Sequence, residues 1–250
     1  MTPISAVIIT YNEERNIGRC LASLQGVVDE IIVVDSFSKD KTKEICLNYN
    51  VKFIELNWLG YSESKNFGNK QALYPWILSL DADEVLSEKL IQSIIEKKKA
   101  GLKGNYSFNR LTNYCGKWIK YGGWYPDKKT RIFHRENAEW VGKIHETLQF
   151  NFDNTITHLN GDCLHYSYYT IEEHINQTIK FSTQTAKMLY EKGKKSSLIK
   201  RFFSPFFKFI KDYFFKLCFL HGITGFRICI ISAYATYLKY KTLHELNKTN

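Results

Sequence analysis

"ISAVIITYNEERNIGRCLASLQG", residues 4–26, is the stretch whose reading decides the fold. Residues 4–10 form a near-continuous β-branched run, the composition of a strand buried on both faces. From Glu13 onward the pattern changes: Ile17, Leu21 and Leu24 recur at helical spacing and Gly26 ends the run. A doubly buried strand feeding an amphipathic helix is half of a βαβ unit. The pattern then repeats. "EIIVVD" (30–35) is a second buried strand, and "KDKTKEICLNYN" (39–50) is a short helix with Asp40 near its start. "VKFIEL" (51–56) is a third strand, 61–73 is helical, "WILSL" (76–80) is a fourth strand, and Ser87 caps a helix reaching Lys99. The first hundred residues therefore read βαβαβαβα, which calls for an α/β fold, a mostly parallel sheet with flanking helices.

In such sheets ligands bind beyond the carboxyl ends of the strands. Those ends carry Thr10, Tyr11, Asn12 and Glu13, then Asp35, then the acidic group within "PWILSLDADEVLS" (75–87). Asp81, Asp83 and Glu84 fall within four residues. Like charges that close repel, and each favours water over a buried strand end. One reading is a divalent cation held by one or both aspartates, with hard oxygen ligands suited to Mn2+ or Mg2+ and to a substrate diphosphate. The other is plain helix capping, since Asp83 and Glu84 precede a helix whose N-terminus favours negative charge. These residues alone leave both readings open. A calcium loop is excluded by the missing alternation of ligands and central Gly.

At 250 residues, 44% hydrophobic and 24% charged, the chain has the composition of an ordinary globular protein. Its six cysteines are scattered without a CxxC, which excludes zinc-ribbon and thioredoxin readings. Met1 runs almost directly into the first strand with no secretory leader, so a reducing, cytoplasmic location with free thiols is expected. The net charge of +10 is uneven: residues 1–186 balance at 22 Lys+Arg against 22 Asp+Glu, whereas residues 187–250 hold 13 against 3. A neutral body with a basic tail points to an anionic surface as a partner.

Residues 104–167 are rich in Tyr, Trp and short β-like runs, read as an antiparallel, loop-rich section covering the site; 170–192 is helical. In "IKRFFSPFFKFIKDYFFKL" (199–217) a helical projection gathers Lys200, Arg201, Lys208, Lys211, Asp212 and Lys216 on one half. Phe202, Phe203, Phe206, Phe207, Phe209, Ile210, Tyr213, Phe214 and Leu217 fill the other half. Such a basic amphipathic helix suits a bilayer interface, or a core-packing helix with a solvated basic face. A continuous Phe face does not suit nucleic acid, where cations and stacking rings alternate. Pro205 either kinks this helix or opens it after a Ser204 cap. "ICIISAYATYL" (228–238) is too short an uncharged run to span a membrane. The expected domain division is 1–195 for the α/β domain and 196–250 for a basic helical appendage that associates with membrane.

"VIITYNEERNIGRCLASL", "IIVVDSFSKDKT", "SESKNFG" and "WILSLDADE", in this order and spacing, resemble the family 2 inverting glycosyltransferases of GT-A fold, the nucleotide-diphospho-sugar transferase fold. "GGWYPDKKTRIFHR" and "WVGKIHETL" are similar to the branch containing lipopolysaccharide-core sugar transferases. The likeness covers roughly residues 4–190. It implies a metal-dependent enzyme that moves a sugar from a nucleotide-sugar to a cell-envelope glycan or glycolipid at the inner face of the cytoplasmic membrane. By the same resemblance Thr10, Tyr11, Asn12, Glu13 and Asp35 line the nucleotide pocket, and Lys65 contacts nucleotide or diphosphate. Asp81 faces ribose or metal-bound water, and Asp83 binds Mn2+ or Mg2+. Glu146 is the expected general base, with Asp127 as its rival. His165 is a further metal ligand or a core histidine, and His145 is a weaker candidate. Trp124, Tyr125 and Trp140 either stack on sugar faces or pack in the core. One departure stands out: the family commonly has Gly where Phe37 stands in "VVDSFSKDKT".

Two rival readings are a sugar-phosphate nucleotidyltransferase and a non-catalytic nucleotide-sugar-binding module. The first would carry a Gly-rich basic loop after its first strand, which "TYNEERN" is not. The second sits poorly with an intact Asp81, Asp83 and Glu146. No GxGxxG follows any strand, which removes a dinucleotide-binding oxidoreductase.

Overall fold

In chain order, the computed structural model, which describes residues 1–142 and 146–248, begins with the expected alternation. Strand β1 (Ile4–Thr10) leads to helix α1 (Ile17–Leu24), β2 (Glu30–Asp35) to α2 (Thr42–Leu47), and β3 (Lys52–Glu55) to α3 (Tyr61–Lys70). Then come β4 (Trp76–Asp81), a three-residue strand β5 (Glu84–Leu86) and α4 (Glu88–Ala100). The chain continues through β6 (Asn105–Tyr114), β7 (Lys117–Ile119), β8 (Asp127–His134), β9 (Ala138–Val141), β10 (Thr147–Phe150) and β11 (Ile156–Tyr168). Helices α5 (Ile171–Glu191), α6 (Leu198–Ile210) and α7 (Ile223–Lys248) complete it, with a π-helical turn at Lys211–Phe215 and a 3-10 turn at Cys218–His221 between the last two. The chain forms two compact units: Met1–Leu111 with Asp127–Tyr166, and Thr112–Pro126 with the residues from Ser167 onward.

In the first unit the strand order is β3-β2-β1-β4-β8-β6-β11-β5. The four strands read from the βα repeat pair in parallel. Beyond β4 the sheet continues antiparallel, so the Tyr- and Trp-rich middle section extends the same sheet. β1 is buried along its whole length. Its alternation sorts side chains to two faces: Ile4, Ala6 and Ile8 pack with Ile17, Leu21, Leu24, Leu90 and Ile94, while Val7 and Ile9 pack with Val34 and Phe67. That two-sided burial is why the strand shows no polar alternation.

Helix α3 lies tight against the sheet because of Gly68. A Cβ there would stand 2.5 Å from Val7 Cγ1 and 3.2 Å from Val34 Cγ2. Helix α4 starts as expected, with Ser87 Oγ accepting from Leu90 N at 3.4 Å. Glu84 belongs to β5, with His165 of β11 as its register partner. The capping reading of Asp83 and Glu84 therefore fails, and Ser87 does that work.

The second unit is built on Tyr114, Ile119, Cys218, Ile228 and Cys229, with Trp124, Tyr168, Phe209 and Tyr213 packed on them. α5 begins with a capping box between Thr170 and Glu173. α6 begins at Ser197, whose Oγ accepts from Lys200 N at 3.2 Å, so Pro205 lies inside the helix and Ser204 is not its cap. Helix α6 packs through Phe209 and leaves four other phenylalanines in the open. Arg201 donates to Tyr237 Oη at 2.7 Å, and buried Asp212 pairs with Lys208 at 2.6 Å and Lys216 at 3.0 Å. Phe202, Phe203, Phe206 and Phe207 are 56–64% exposed. No described helix is long and apolar enough to cross a membrane. All six cysteines are free.

Candidate active site

The parallel register brings the expected residues to one edge. Thr10 lies beside Asp35 across β1 and β2, and Ile9 lies beside Asp81 across β1 and β4. The loops after β1 and β2 are then laced together by side chains. Asn12 N donates to Ser38 Oγ at 2.8 Å, Lys39 N to Asn12 Oδ1 at 2.8 Å, Glu13 N to Thr42 Oγ1 at 2.8 Å and Glu14 N to Asp40 Oδ2 at 3.1 Å. Asp35, almost wholly buried, accepts from Ser38 N at 2.8 Å and Ser38 Oγ at 2.5 Å. Its carboxylate thus shapes the loop at the pocket edge. Asn12 and Phe37 both adopt positive φ, 55° and 57°. This explains the family's glycine at the second position: the backbone is left-handed there, and Phe37 holds it with its ring half-exposed. Tyr11 is exposed at the same edge, and Thr10 Oγ1 is buried with no hydrogen-bond partner among the described residues.

The acidic group is met by cations the sequence reading did not assemble. Lys65, only 1% exposed, reaches Asp81 Oδ1 and Glu146 Oε1, each at 2.9 Å, over the Trp140 ring at 4.7 Å. It is not a solvated helix lysine. Arg131 Nη2 binds Asp81 Oδ2 at 3.0 Å and Glu84 Oε1 at 2.8 Å. Glu84 is fully buried and also accepts from Asp81 N at 3.0 Å, which closes the turn after β4. Arg110 lies 3.5 Å from Glu84 and binds Asp127 Oδ2 through Nε and Nη2 at 2.9 Å, while Lys129 holds Asp127 Oδ1 at 3.1 Å. Arg110 and Asp127 are register partners across β6 and β8. Burial disfavours the charge on Asp81, but Lys65 and Arg131 outweigh it and hold the carboxyl well below the usual range.

Asp83 has a different partner, His165 Nε2 at 3.1 Å, and no lysine or arginine pairs with it among the described residues. Burial pulls the His165 pKa down; the Asp83 carboxylate more than offsets this and raises it. Glu13 is pushed up to about 7, chiefly by burial and further by the charges of Asp83, Asp40 and Asp81, against a hydrogen bond from Asn16. Glu13, Asp40, Asp81 and Asp83 thus crowd carboxylates at one edge.

Glu146 reaches the network because α3 grips the neighbouring ribbon. Asn66 Nδ2 donates to Trp140 O at 2.8 Å, Trp140 N to Asn66 Oδ1 at 3.0 Å, and Ser62 Oγ to Gly142 O at 2.6 Å. Those bonds set β9 on α3, and β10 pairs antiparallel with β9, just after Glu146. Trp140 packs edge-on to Phe133 at 6.1 Å and serves as the floor under Lys65. Trp124 lies in the second unit, in an aromatic group with Tyr114, Tyr168 and His174. His145 lies outside the described residues. Arg110 and Arg131 are the site residues that sequence reasoning passed over. The available signal was in "DKKTRIFHR": strand alternation puts Asp127 and Arg131 on one face, and an arginine between Thr130 and the buried pair Ile132–Phe133 needs a buried acid.

The family described as glycosyl transferase family 2 matches residues 5–164. An uncharacterized glycosyltransferase of Rickettsia typhi is 34% identical over 258 residues, covering 99% of this chain and 88% of the relative. The lipopolysaccharide core biosynthesis glycosyltransferase LpsC of Rhizobium meliloti is 28% identical over 253 residues, covering 97% and 92%. Among solved structures, S. aureus TarS 1-349 in complex with UDP is similar with a TM-score of 0.48 and 15% identity, over 99% of this chain and 92% of that one.

Proposed function

The chain belongs to glycosyl transferase family 2, and from that premise we propose that it is a metal-dependent, inverting transferase carrying a sugar from a nucleotide-sugar to a cell-envelope glycan or glycolipid. The observation that carries this is the split within the acidic group. Asp81 and Glu84 are neutralised by buried Lys65 and Arg131, with partly exposed Arg110 3.5 Å from Glu84, whereas Asp83 pairs with His165 alone among the described cationic and imidazole groups. The Asp83 carboxylate is the hard oxygen donor that suits Mn2+ or Mg2+, and His165 would join it as a ligand on giving up its proton. The described residues hold no cluster of three His, Cys, Asp or Glu, so the remaining ligands would be diphosphate oxygens and water. A bound dication there would neutralise charge developing on the departing diphosphate.

The chain's own groups supply the rest. The buried, unpartnered Thr10 hydroxyl, exposed Tyr11 and the Asn12–Ser38–Asp35 loop frame the nucleotide at the carboxyl ends of β1 and β2. Asp81, fixed from two sides, faces ribose or metal-bound water. Lys65 offers its ammonium to the diphosphate. Glu146 takes the proton from the acceptor hydroxyl as that oxygen bonds to the anomeric carbon, and the sugar–diphosphate bond breaks with its electron pair leaving on the diphosphate. Glu146 is preferred over Asp127 because it shares one lysine with Asp81, whereas Asp127 is held by both Arg110 and Lys129. A lipopolysaccharide-core acceptor is favoured by the LpsC likeness. The exposed Phe stripe of α6, rimmed by Lys200 and Lys211, supports seating of the 196–250 segment on an anionic membrane at its cytoplasmic face.

The test is donor turnover across a panel of nucleotide-sugars with Mn2+, Mg2+ or EDTA. EDTA and Asp83→Asn are each expected to lower turnover by about a hundredfold or more. Glu146→Gln is expected to do the same while donor binding persists. Turnover indifferent to both EDTA and Asp83→Asn overturns the metal assignment, and an active Glu146→Gln beside a dead Asp127→Asn transfers the base to Asp127. The membrane reading fails if the protein ignores anionic liposomes at low salt.

A further inference from the structure

Helices α5 and α7 of the second unit meet along faces that ought to be apolar. At helical spacing α5 presents His174, Thr178, Ser182 and Thr185, and α7 presents Ser232, Thr236 and Lys239, with Lys208 of α6 closing the side. Helix pairs normally fill such a seam with interlocking apolar side chains. Here it leaves an open groove of about 360 Å3, whose lining also includes Tyr168, Phe181 and Ala235.

The lining specifies the occupant's charge. Thr185 and Thr236 spend their hydroxyl protons on the carbonyls of Phe181 and Ser232, each one turn earlier. The hydroxyls of Thr178, Ser182 and Ser232, and the ammonium groups of Lys208 and Lys239, supply the donors. Of the two lysines lining the groove, Lys208 is paired with Asp212 at 2.6 Å, an acid it shares with Lys216 outside the lining, and Lys239 pairs with no carboxylate among the described residues. His174 is kept neutral by burial and turns its Nδ1 to Tyr114 Oη at 3.1 Å. A concave site with several hydroxyl donors and two ammonium groups, one of them shared with Asp212, suits a phosphomonoester, whose oxygens accept from both kinds of donor.

We propose that this groove is a binding site for a phosphomonoester, carried on a small polyol or on a lipid headgroup. The lipid source would deepen the membrane reading above, because Lys208 lies on the same helix as the exposed Phe stripe; the solution arm of the test needs no membrane. Full-length protein is titrated with glycerol 3-phosphate and with inorganic phosphate by calorimetry. In parallel it is sedimented with vesicles of phosphatidylcholine carrying either phosphatidate or phosphatidylglycerol at matched surface charge. Wild type is compared with Lys239→Gln, with the double variant Thr178→Val plus Ser232→Ala, and with Phe203→Ser plus Phe207→Ser as a control for membrane seating.

A headgroup site predicts glycerol 3-phosphate binding, and about tenfold tighter sedimentation with phosphatidate than with phosphatidylglycerol. Both preferences should be lost in the groove variants, with phosphatidylglycerol binding kept. Glycerol 3-phosphate binding that Lys239→Gln abolishes, without lipid preference, supports the site and assigns it to a soluble phosphate ester. Loss of all vesicle binding in the Phe variants, with glycerol 3-phosphate affinity unchanged, separates the membrane reading from the site and supports both. No binding of glycerol 3-phosphate or phosphate, together with unchanged phosphatidate binding in both groove variants, overturns the proposal.

Discussion

Replacing Lys65 by Met is the sharpest test of the ion network. The ammonium is almost fully buried and lies 2.9 Å from both Asp81 Oδ1 and Glu146 Oε1. At an effective dielectric constant near 20, each contact corresponds to about 6 kcal/mol of Coulomb attraction, most of it offset by the cost of burying the charges. Removing one member does not recover that desolvation. It leaves Asp81 and Glu146 facing each other with an apolar side chain between them, and such an unpaired burial costs about 3–5 kcal/mol. Asp81 keeps Arg131 at 3.0 Å and Glu146 is partly exposed, so the lower end is expected, about 3 kcal/mol in urea unfolding at pH 7. The double variant Lys65→Met plus Glu146→Gln should regain about 1–2 kcal/mol, because the amide removes one stranded charge. Donor turnover should fall in the single variant; the double also lacks Glu146, the proposed base, so its repair is read from unfolding alone. A single variant within about 0.5 kcal/mol of wild type would refute the claim that Lys65 is the electrostatic centre of the site.

Other outcomes follow from single features. Phe37→Gly should raise stability by up to about 1 kcal/mol, because the left-handed backbone at φ 57° costs a non-glycine residue about 1–2 kcal/mol, while glycine's added chain entropy returns part of that; thermal melting reads it, and a clear loss would contradict the backbone argument. Ser87→Ala should cost about 1–2 kcal/mol, at the upper end for a helix cap because Ser87 Oγ also accepts from Asp162 N at 3.1 Å. His174 is buried and its pKa is lowered from 6.5 to about 4, so the unfolded chain binds its proton first as pH falls. Its stabilising contribution is complete above pH 6.5 and is lost between there and pH 4, on the order of 3 kcal/mol. Unfolding free energies of wild type and His174→Gln, compared at pH 7 and pH 4, should differ in slope by that amount; equal slopes would show that His174 titrates normally.

The order of secondary structure and the sheet edge where the candidate residues gather were legible because they rest on local signals. An unbroken β-branched run such as residues 4–10 reports burial on both faces, and the helix between two such strands forces the parallel connection. Strand polarity then delivers Thr10, Asp35 and Asp81 to one edge without knowledge of any contact. Membership of the glycosyltransferase family followed from the same ordered motifs. The left-handed turn at Phe37 was half visible, as a residue standing where a glycine is usual.

What the sequence could not decide is how charge is shared. Asp81, Asp83 and Glu84 are three neighbours of one sign, and nothing local distinguishes them. Their roles part only when Lys65 from α3, Arg131 from β8, Arg110 from β6 and His165 from β11 arrive from 16 to 82 residues away and choose partners. The same holds for α6, whose periodicity shows two faces but not which of them the fold leaves in water. Periodicity and propensity are properties of neighbours along the chain and survive in the sequence. Electrostatic pairing and burial depend on distances across the fold, and only tertiary structure sets those.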